Sequence, residues 1–364
     1  MKAKTFLIAS LSLFIIGSGC SCKWWRTPPS EITSDIYDQS ETEITPTTEE
    51  EVPEYMVLHF LTNSDKYGNT NGNTRNGSLA VYHFGFKVHI FTAGDDIWAW
   101  DPVYKEFTHL LDGYPFINNL TVYKDVLFFT ATSNQYLYKI DLRTKEVELV
   151  IEKTIEQVSR QGTYLYVRLE DPERGPGEWL VVYTVEDMAE VKAVQDIENV
   201  NFYGPSNVYT NNNEPLNVKH SAPNFTDIVD LAVFSPTQFI SIKYVHLARI
   251  FQSEDYVWYK RFLVAFETQA TTEYYFYDGQ TEELTFIIGG TTFKSINSDN
   301  RHLYFVEEFS VRVYDFEEKR MKDTITFNMS VYNLHIINHY MYFISGNDNL
   351  YRYHKSYDAP VLAI

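Results

Sequence analysis

YKIDLRTKEVELV, residues 138–150, is the stretch on which the fold turns. An aromatic-rich run ends at Asp141, the polar tip LRTK (142–145) follows, and a second apolar run starts beyond Glu146. The phrase returns as WAWDPVYKEFTHLL (98–111), YTVEDMAEVKAV (183–194), FYDGQTEELTFII (276–288) and VYDFEEKRMKDTI (313–325). Aligned at the end of the aromatic run, the positions are Asp101, Asp141, Val185, Asp278 and Asp315, with His354 a sixth. In the first five an apolar residue follows six places on: Phe107, Val147, Val191, Leu284 and Met321. An Asp in this place can accept backbone N–H bonds of the turn after it, so Asp101, Asp141, Asp278 and Asp315 are expected as structural turn residues. Asp278–Gly279 is a strong turn dipeptide in the same slot.

Each phrase is preceded by another apolar run: KVHIFTA (87–93), DVLFFTA (125–131), TYLYVRL (163–169), RFLVAFE (261–267), HLYFVEE (302–308) and HYMYFIS (339–345). Several alternate with the period of a strand. A further apolar run, such as FINNLTVY (116–123) or VYNLHII (331–337), precedes that one. A unit therefore reads strand, strand, strand, turn, strand. The spacing of the phrases is 40, 44, 93, 37 and 39 residues, so a degenerate unit near 198–240 makes seven in all. A four-stranded antiparallel unit cannot bury both faces alone, and stacking such units around an axis does so while protecting their edges. The fold expected is all-β: a β-propeller of four-stranded antiparallel blades, seven favoured over six. The run YMVLHFL (55–61) either adds to the last blade beside APVLAI (359–364) or packs beneath the first.

The composition fits. Aromatics are 16% of the 364 residues and suit strands. The net charge of -19, from 30 basic and 49 acidic residues, argues against a nucleic-acid backbone or an anionic membrane surface as the partner. Cys20 and Cys22 are the only cysteines, so stability from 55 onward comes from core burial without disulfides.

Residues 1–19 place Lys2 and Lys4 before a short apolar run, Phe6–Ile16, which is a secretory signal pattern too short to span a bilayer comfortably. Gly17, Ser18 and Gly19 before Cys20 resemble the lipobox of bacterial lipoproteins, with a departure at Gly17, where Leu is usual. The resemblance implies lipidation of Cys20 and anchoring in the membrane on the extracytoplasmic face; ordinary cleavage or an uncleaved anchor are the alternatives. From Thr27 to Glu54 there are nine acidic residues and no basic one. With so little apolar surface this stretch is expected to be a disordered tether. The organisation is thus a signal at 1–19, an acidic tether at 20–54 and a propeller at 55–364.

A second resemblance covers 67–364. The run YGNTNGNTRNGSLAVY (67–82) is similar to the opening of a bacterial propeller domain related to the YWTD propeller of low-density-lipoprotein receptors, which begins G-N-T-x-G-N-x-x-N-G. Gly68, Asn69, Thr70, Gly72, Asn73, Asn76 and Gly77 fit it. The literal Tyr-Trp-Thr-Asp tetrad is absent, and 197–260 holds no clean phrase. The resemblance implies an exported or lipid-anchored propeller with no established reaction, and supplies no catalytic residues. Read by its residues alone, the run is a tightly wound Asn/Gly turn; a calcium loop using Asp65, Asn69, Asn71 and Asn73 is the sharper alternative, although it lacks the closing Glu of an EF-hand.

Motifs for chemistry are sparse. His335 and His339 have helical metal spacing but flank a strand boundary, so no metal is assigned. No nucleophile elbow, P-loop or dinucleotide fingerprint is present, and no catalytic residue or cofactor is assigned. Trp98 and Trp100 share one face of a strand and are either a stacking platform for a ligand or inter-blade packing. Trp258 and Tyr259, in the aromatic and basic run YVWYKRF, are the other ligand-binding candidates. The expectation is a monomeric, non-enzymatic binding or scaffold module that meets a protein or envelope ligand. Its competitor is a funnel-site hydrolase or lyase acting on a carbohydrate or lactone.

Overall fold

The computed structural model describes residues 70–364, apart from 204–205, 212, 223, 237, 253–257, 291–292, 300, 338–339, 347 and 355–358, and without the side chains of 202–206, 215 and 247–259. A single short helix, α1 (Asn71–Arg75), precedes 28 strands among these residues. Blade 1 holds β1–β4 (Ala80–His83, Val88–Ala93, Asp96–Trp100, Phe107–Leu111), and blade 2 holds β5–β8 (Asn118–Tyr123, Val126–Ala131, Tyr136–Asp141, Val147–Ile151). Blade 3 holds β9–β12 (Ile155–Gln161, Tyr164–Glu170, Glu178–Thr184, Glu190–Val194), and blade 4 holds β13–β16 (Ile197–Tyr203, Ser206–Asn211, Glu214–Ser221, Val229–Val233). Blade 5 holds β17–β20 (Ser241–Gln252, Trp258–Glu267, Thr272–Asp278, Glu283–Gly289), and blade 6 holds β21–β24 (Ser295–Ser298, His302–Val306, Ser310–Asp315, Arg320–Thr326). Blade 7 holds β25–β28 (Tyr332–Ile337, Tyr340–Ser345, Asn349–His354, Val361–Leu362).

Every blade is a four-stranded sheet in chain order, and every pair is antiparallel. The first strands of successive blades meet around the axis: β1 with β5, β5 with β9, β9 with β13, β13 with β17, β21 with β25, and β25 with β1. This is a seven-bladed propeller, and the unit expected near 198–240 is blade 4. Its aromatic-Asp phrase is missing because the turn after β15 is built instead on Ala222 and Phe225, with Phe225 N–H donating to Ala222 O (2.9 Å).

The core lies between blades. Leu263, Ala265 and Phe276 of blade 5 pack on Leu303, Phe305 and Tyr314 of blade 6, and Val208 and Val218 of blade 4 pack on Phe262, Val264 and Phe266 of blade 5. Phe262, Phe266, Phe276 and Phe305 are fully buried. Each such side chain contributes about 2–3 kcal/mol of transfer free energy, which no blade could gain by itself. The run 55–61 lies outside the described residues, and the last blade takes its outer strand from Val361–Leu362.

In blade 3 the aligned residue is Thr184, one place before Val185. Its N–H donates to Ala189 O and its carbonyl accepts from Met188 N, as Asp101 does with Glu106 and Lys105. Val185 instead matches Leu142 and Phe316, all three buried. The sequence alignment slipped by one residue there because Thr replaces Asp, and a slip of one exchanges the faces of a strand.

Candidate functional site: the plugged axis

The Asn/Gly run is tightly wound, as a single turn of helix. Residues 71–75 form a helical turn that stands in the central channel, packed on β9, β17, β21 and β25. Thr70 caps it, its Oγ1 accepting from Asn73 N–H (3.1 Å). Intrinsic preference does not favour a helix here, since Asn and Gly are poor helix formers. Tertiary bonds decide it. Asn73 Nδ2 donates to Ile336 O (2.9 Å), while its Oδ1 accepts from Ile336 N–H (2.8 Å) and from Asn297 Nδ2 (2.8 Å). Asn76 Nδ2 donates to Leu334 O (2.6 Å). The Asn73 oxygen that a calcium loop would need is thus committed to two N–H donors.

Close approach explains Gly72: a Cβ there would lie 2.0 Å from Asn297 Oδ1. Gly77 (φ 86°) and Ser78 (φ 43°) then reverse the chain into β1. Asn73 meets Ile336 near the end of β25, and Asn76 meets Leu334 near its start, so the helix runs antiparallel to the inner strands. Thr70 accordingly opens on the face of the ring where the first strands end and where the Asp turns lie.

Around the helix the inner strands repeat an apolar residue followed by a buried polar one, and four of these polar residues bond to the next blade. Asn201 Nδ2 donates to Val245 O (3.1 Å), Asn297 Nδ2 donates to Leu334 O (2.7 Å), and His335 Nε2 accepts from Leu79 N–H (2.9 Å). His246 Nε2 and Ser298 Oγ are 2.6 Å apart across blades 5 and 6. This girdle was missed in the sequence. Its signal is the recurring pair Leu120-Thr121, Val158-Ser159, Val200-Asn201, Val245-His246, Ile296-Asn297 and Leu334-His335, which also marks blade 4.

Burial sets the electrostatics. Desolvation lowers His246 to about 3, with Arg75 adding to it, and lowers His335 to about 4. His89 of blade 1, 2.8 Å from Tyr342 OH of blade 7, is lowered to about 3 by burial and by Arg352. These imidazoles are neutral. The Arg75 guanidinium stacks over Tyr244 (4.5 Å), and its two terminal nitrogens are buried with no hydrogen-bond acceptor among the described residues.

The Asp residues of the repeated phrase sit in the turns between third and fourth strands. Asp101 Oδ1 accepts from Val103 N–H (2.6 Å) and Tyr104 N–H (3.0 Å), and Asp141 Oδ1 from Arg143 (2.7 Å) and Thr144 (2.9 Å). Asp278 Oδ1 accepts from Gln280 (3.0 Å), and Asp315 Oδ1 from Glu317 (2.9 Å) and Glu318 (3.0 Å). Trp100 is buried in the seam between blades 1 and 7, with Arg352 3.5 Å over its ring, so that ring has no free face to offer a ligand. Trp98 is half-buried against the same cluster and packs on His109 (4.5 Å). The side chains of Trp258 and Tyr259, and Cys20 with the whole of 1–69, lie outside the described residues.

No family model and no curated protein sequence matches this chain. Solved structures similar to it include Hsv2 of Kluyveromyces lactis, at 11% identity over 76% of this chain and 94% of that one, TM-score 0.50. Others are the CNH domain of AfRom2 (9% identity, 75% and 91% covered, TM-score 0.51) and an oligogalacturonate lyase from Vibrio parahaemolyticus (11%, 77% and 86%, TM-score 0.48). At these identities the likeness is one of fold, and the chain is similar to them as a β-propeller.

Proposed function

We propose that the chain is a membrane-anchored, extracytoplasmic β-propeller, held by a lipid on Cys20 and related to the YWTD-type propellers, that acts as a non-enzymatic binding or scaffold module for a protein or cell-envelope ligand. The observation that carries the non-enzymatic part is the plug. A funnel enzyme gathers its reacting groups at the axis, and here the axis is filled by residues 71–77, with Asn73 and Asn76 bound to blades 6 and 7. The girdle around them is occupied by inter-blade bonds. The anchoring part rests on the lipobox-like residues alone.

Two measurements test the reading. Cys20→Ala should move the protein from the membrane to the soluble fraction; unchanged detergent partitioning would defeat the anchor. The Cys20→Ala chain, immobilised and exposed to native envelope, should retain a saturable partner. Retention no better than an unrelated propeller, together with turnover of a saccharide or lactone by the same preparation, would establish the competing enzyme instead.

A further inference from the structure

A propeller ring must be fastened where its last blade meets its first. Among the described residues no strand is shared between blade 1 (80–111) and blade 7 (332–362), because each sheet is built from four consecutive strands. The seam is held by side chains: His335 Nε2 with Leu79 N–H, His89 with Tyr342, and Arg352 over Trp100. One backbone segment reaches across it. The plug belongs by chain to blade 1, into which it runs directly, and by hydrogen bonds to blades 6 and 7 through Asn73 and Asn76. Pulling it out would therefore remove one of the links between the two ends of the ring and leave the others in place.

The same segment is built weakly. A helix of five residues has no stability of its own. Two of its residues lose hydrogen bonds by being where they are: the terminal nitrogens of Arg75 and Oγ1 of Thr74 are buried without partners among the described residues. Arg75 is partly exposed, but burying two guanidinium nitrogens without an acceptor is costly, and a single aromatic face offsets only part of that. Outside the channel both groups would regain water. The segment also lies along the axis, with Thr70 toward the face of the Asp turns, and its withdrawal breaks, besides the bonds to blades 6 and 7, only those of the Asn119 and Leu120 N–H groups to Gly77 O and Ser78 O among the bonds described.

We propose that residues 70–78 are a removable clasp: a segment that closes the ring and blocks the axis, and that leaves the channel in an opening separate from global unfolding, with Arg75 as its built-in weak point.

Native-state hydrogen exchange on the full chain tests this. The amides of Thr74, Asn76, Gly77 and Ser78, all bonded within the plug, should exchange through an opening that leaves β10 and β26 protected. Asn73→Ala should speed that opening about tenfold or more, equivalent to about 1.4 kcal/mol, without changing β10. Arg75→Met should slow it several-fold by removing the buried charge. Where Asn73→Ala does not fold, Asn76→Ala removes a bond of the same kind and carries the same expectation. Plug amides that exchange only at the rate of β10 would overturn the proposal. So would an Arg75→Met protein whose plug opens faster than the wild type, since Arg75 would then be a strut.

Discussion

Asp141 and Asp315 occupy the same turn and are loaded differently. Asp141 Oδ1 takes two backbone N–H groups at a partly exposed site, and the Thr144 N–H is the main reason its carboxyl titrates below the usual range. Asp315 takes the equivalent pair, is fully buried, and also binds Arg301 Nε (2.8 Å), with Lys322 Nζ at 3.5 Å. Burial pushes the Asp315 carboxyl up, and the Glu318 N–H and Arg301 more than reverse that. Asp141→Ala should cost about 1 kcal/mol, as a turn bond does. Asp315→Ala should cost about 2–3 kcal/mol, because the two turn N–H groups lose an acceptor that is fully buried, whereas Arg301 is half exposed and keeps Glu318. Urea midpoints compare them, and equal losses would show that burial of the Asp315 carboxylate adds nothing. The turn role of Asp was legible because it is local: the acceptor and its donors lie two and three residues apart. The ion pair was not, since Arg301 and Asp315 come together only through the β22–β23 pairing.

At the scale of elements, strands were readable and the helix was not. Second strands such as Val126–Ala131 and His302–Val306 are apolar on both faces because each is clasped between two blades, so the runs stand out. The plug has no apolar stripe and no helical composition. It is helical because Gly72 allows Asn297 to approach and Asn73 reaches Ile336, 263 residues away. Gly72→Ala should therefore cost about 2–4 kcal/mol, since the new methyl must displace a buried and bonded amide. Gly162→Ala, at φ 57° with open space around it, should cost only about 1 kcal/mol. Thermal melts of the two variants make the comparison, and similar losses would mean that the channel can yield around the plug.

At the scale of the molecule the ring is closed at the seam of blades 7 and 1, and this seam holds two of the neutral buried histidines, His89 and His335. Their folded-state values of about 3 and about 4 lie below the ordinary value of 6.5. The unfolded chain therefore binds protons more readily, and the stability they carry is complete above pH 6.5 and lost as pH falls toward 4. Each buried histidine removes up to about 1.4 kcal/mol per pH unit over that window. Protonating His335 Nε2 also removes the acceptor of the Leu79 N–H. Unfolding free energy should be flat from pH 8 to 7 and decline below 6.5; a level profile down to pH 4.5 would contradict the burial of these rings. Arg352→Ala, which uncovers Trp100 across the seam, should cost about 1–3 kcal/mol in the same assay.

By itself the sequence determined the all-β class and the four-strand unit, and it favoured seven blades over six. Those follow from periodicities of two residues and of about forty, which are written along the chain whatever the blades later touch. Only the tertiary structure decided that the Asn/Gly run is a helix in the channel, that the inner strands carry a bonded girdle, and that Trp100 is seam packing. Each of these depends on contacts between residues far apart in the chain, and such a contact becomes energetically defined only when the ring brings both partners out of water.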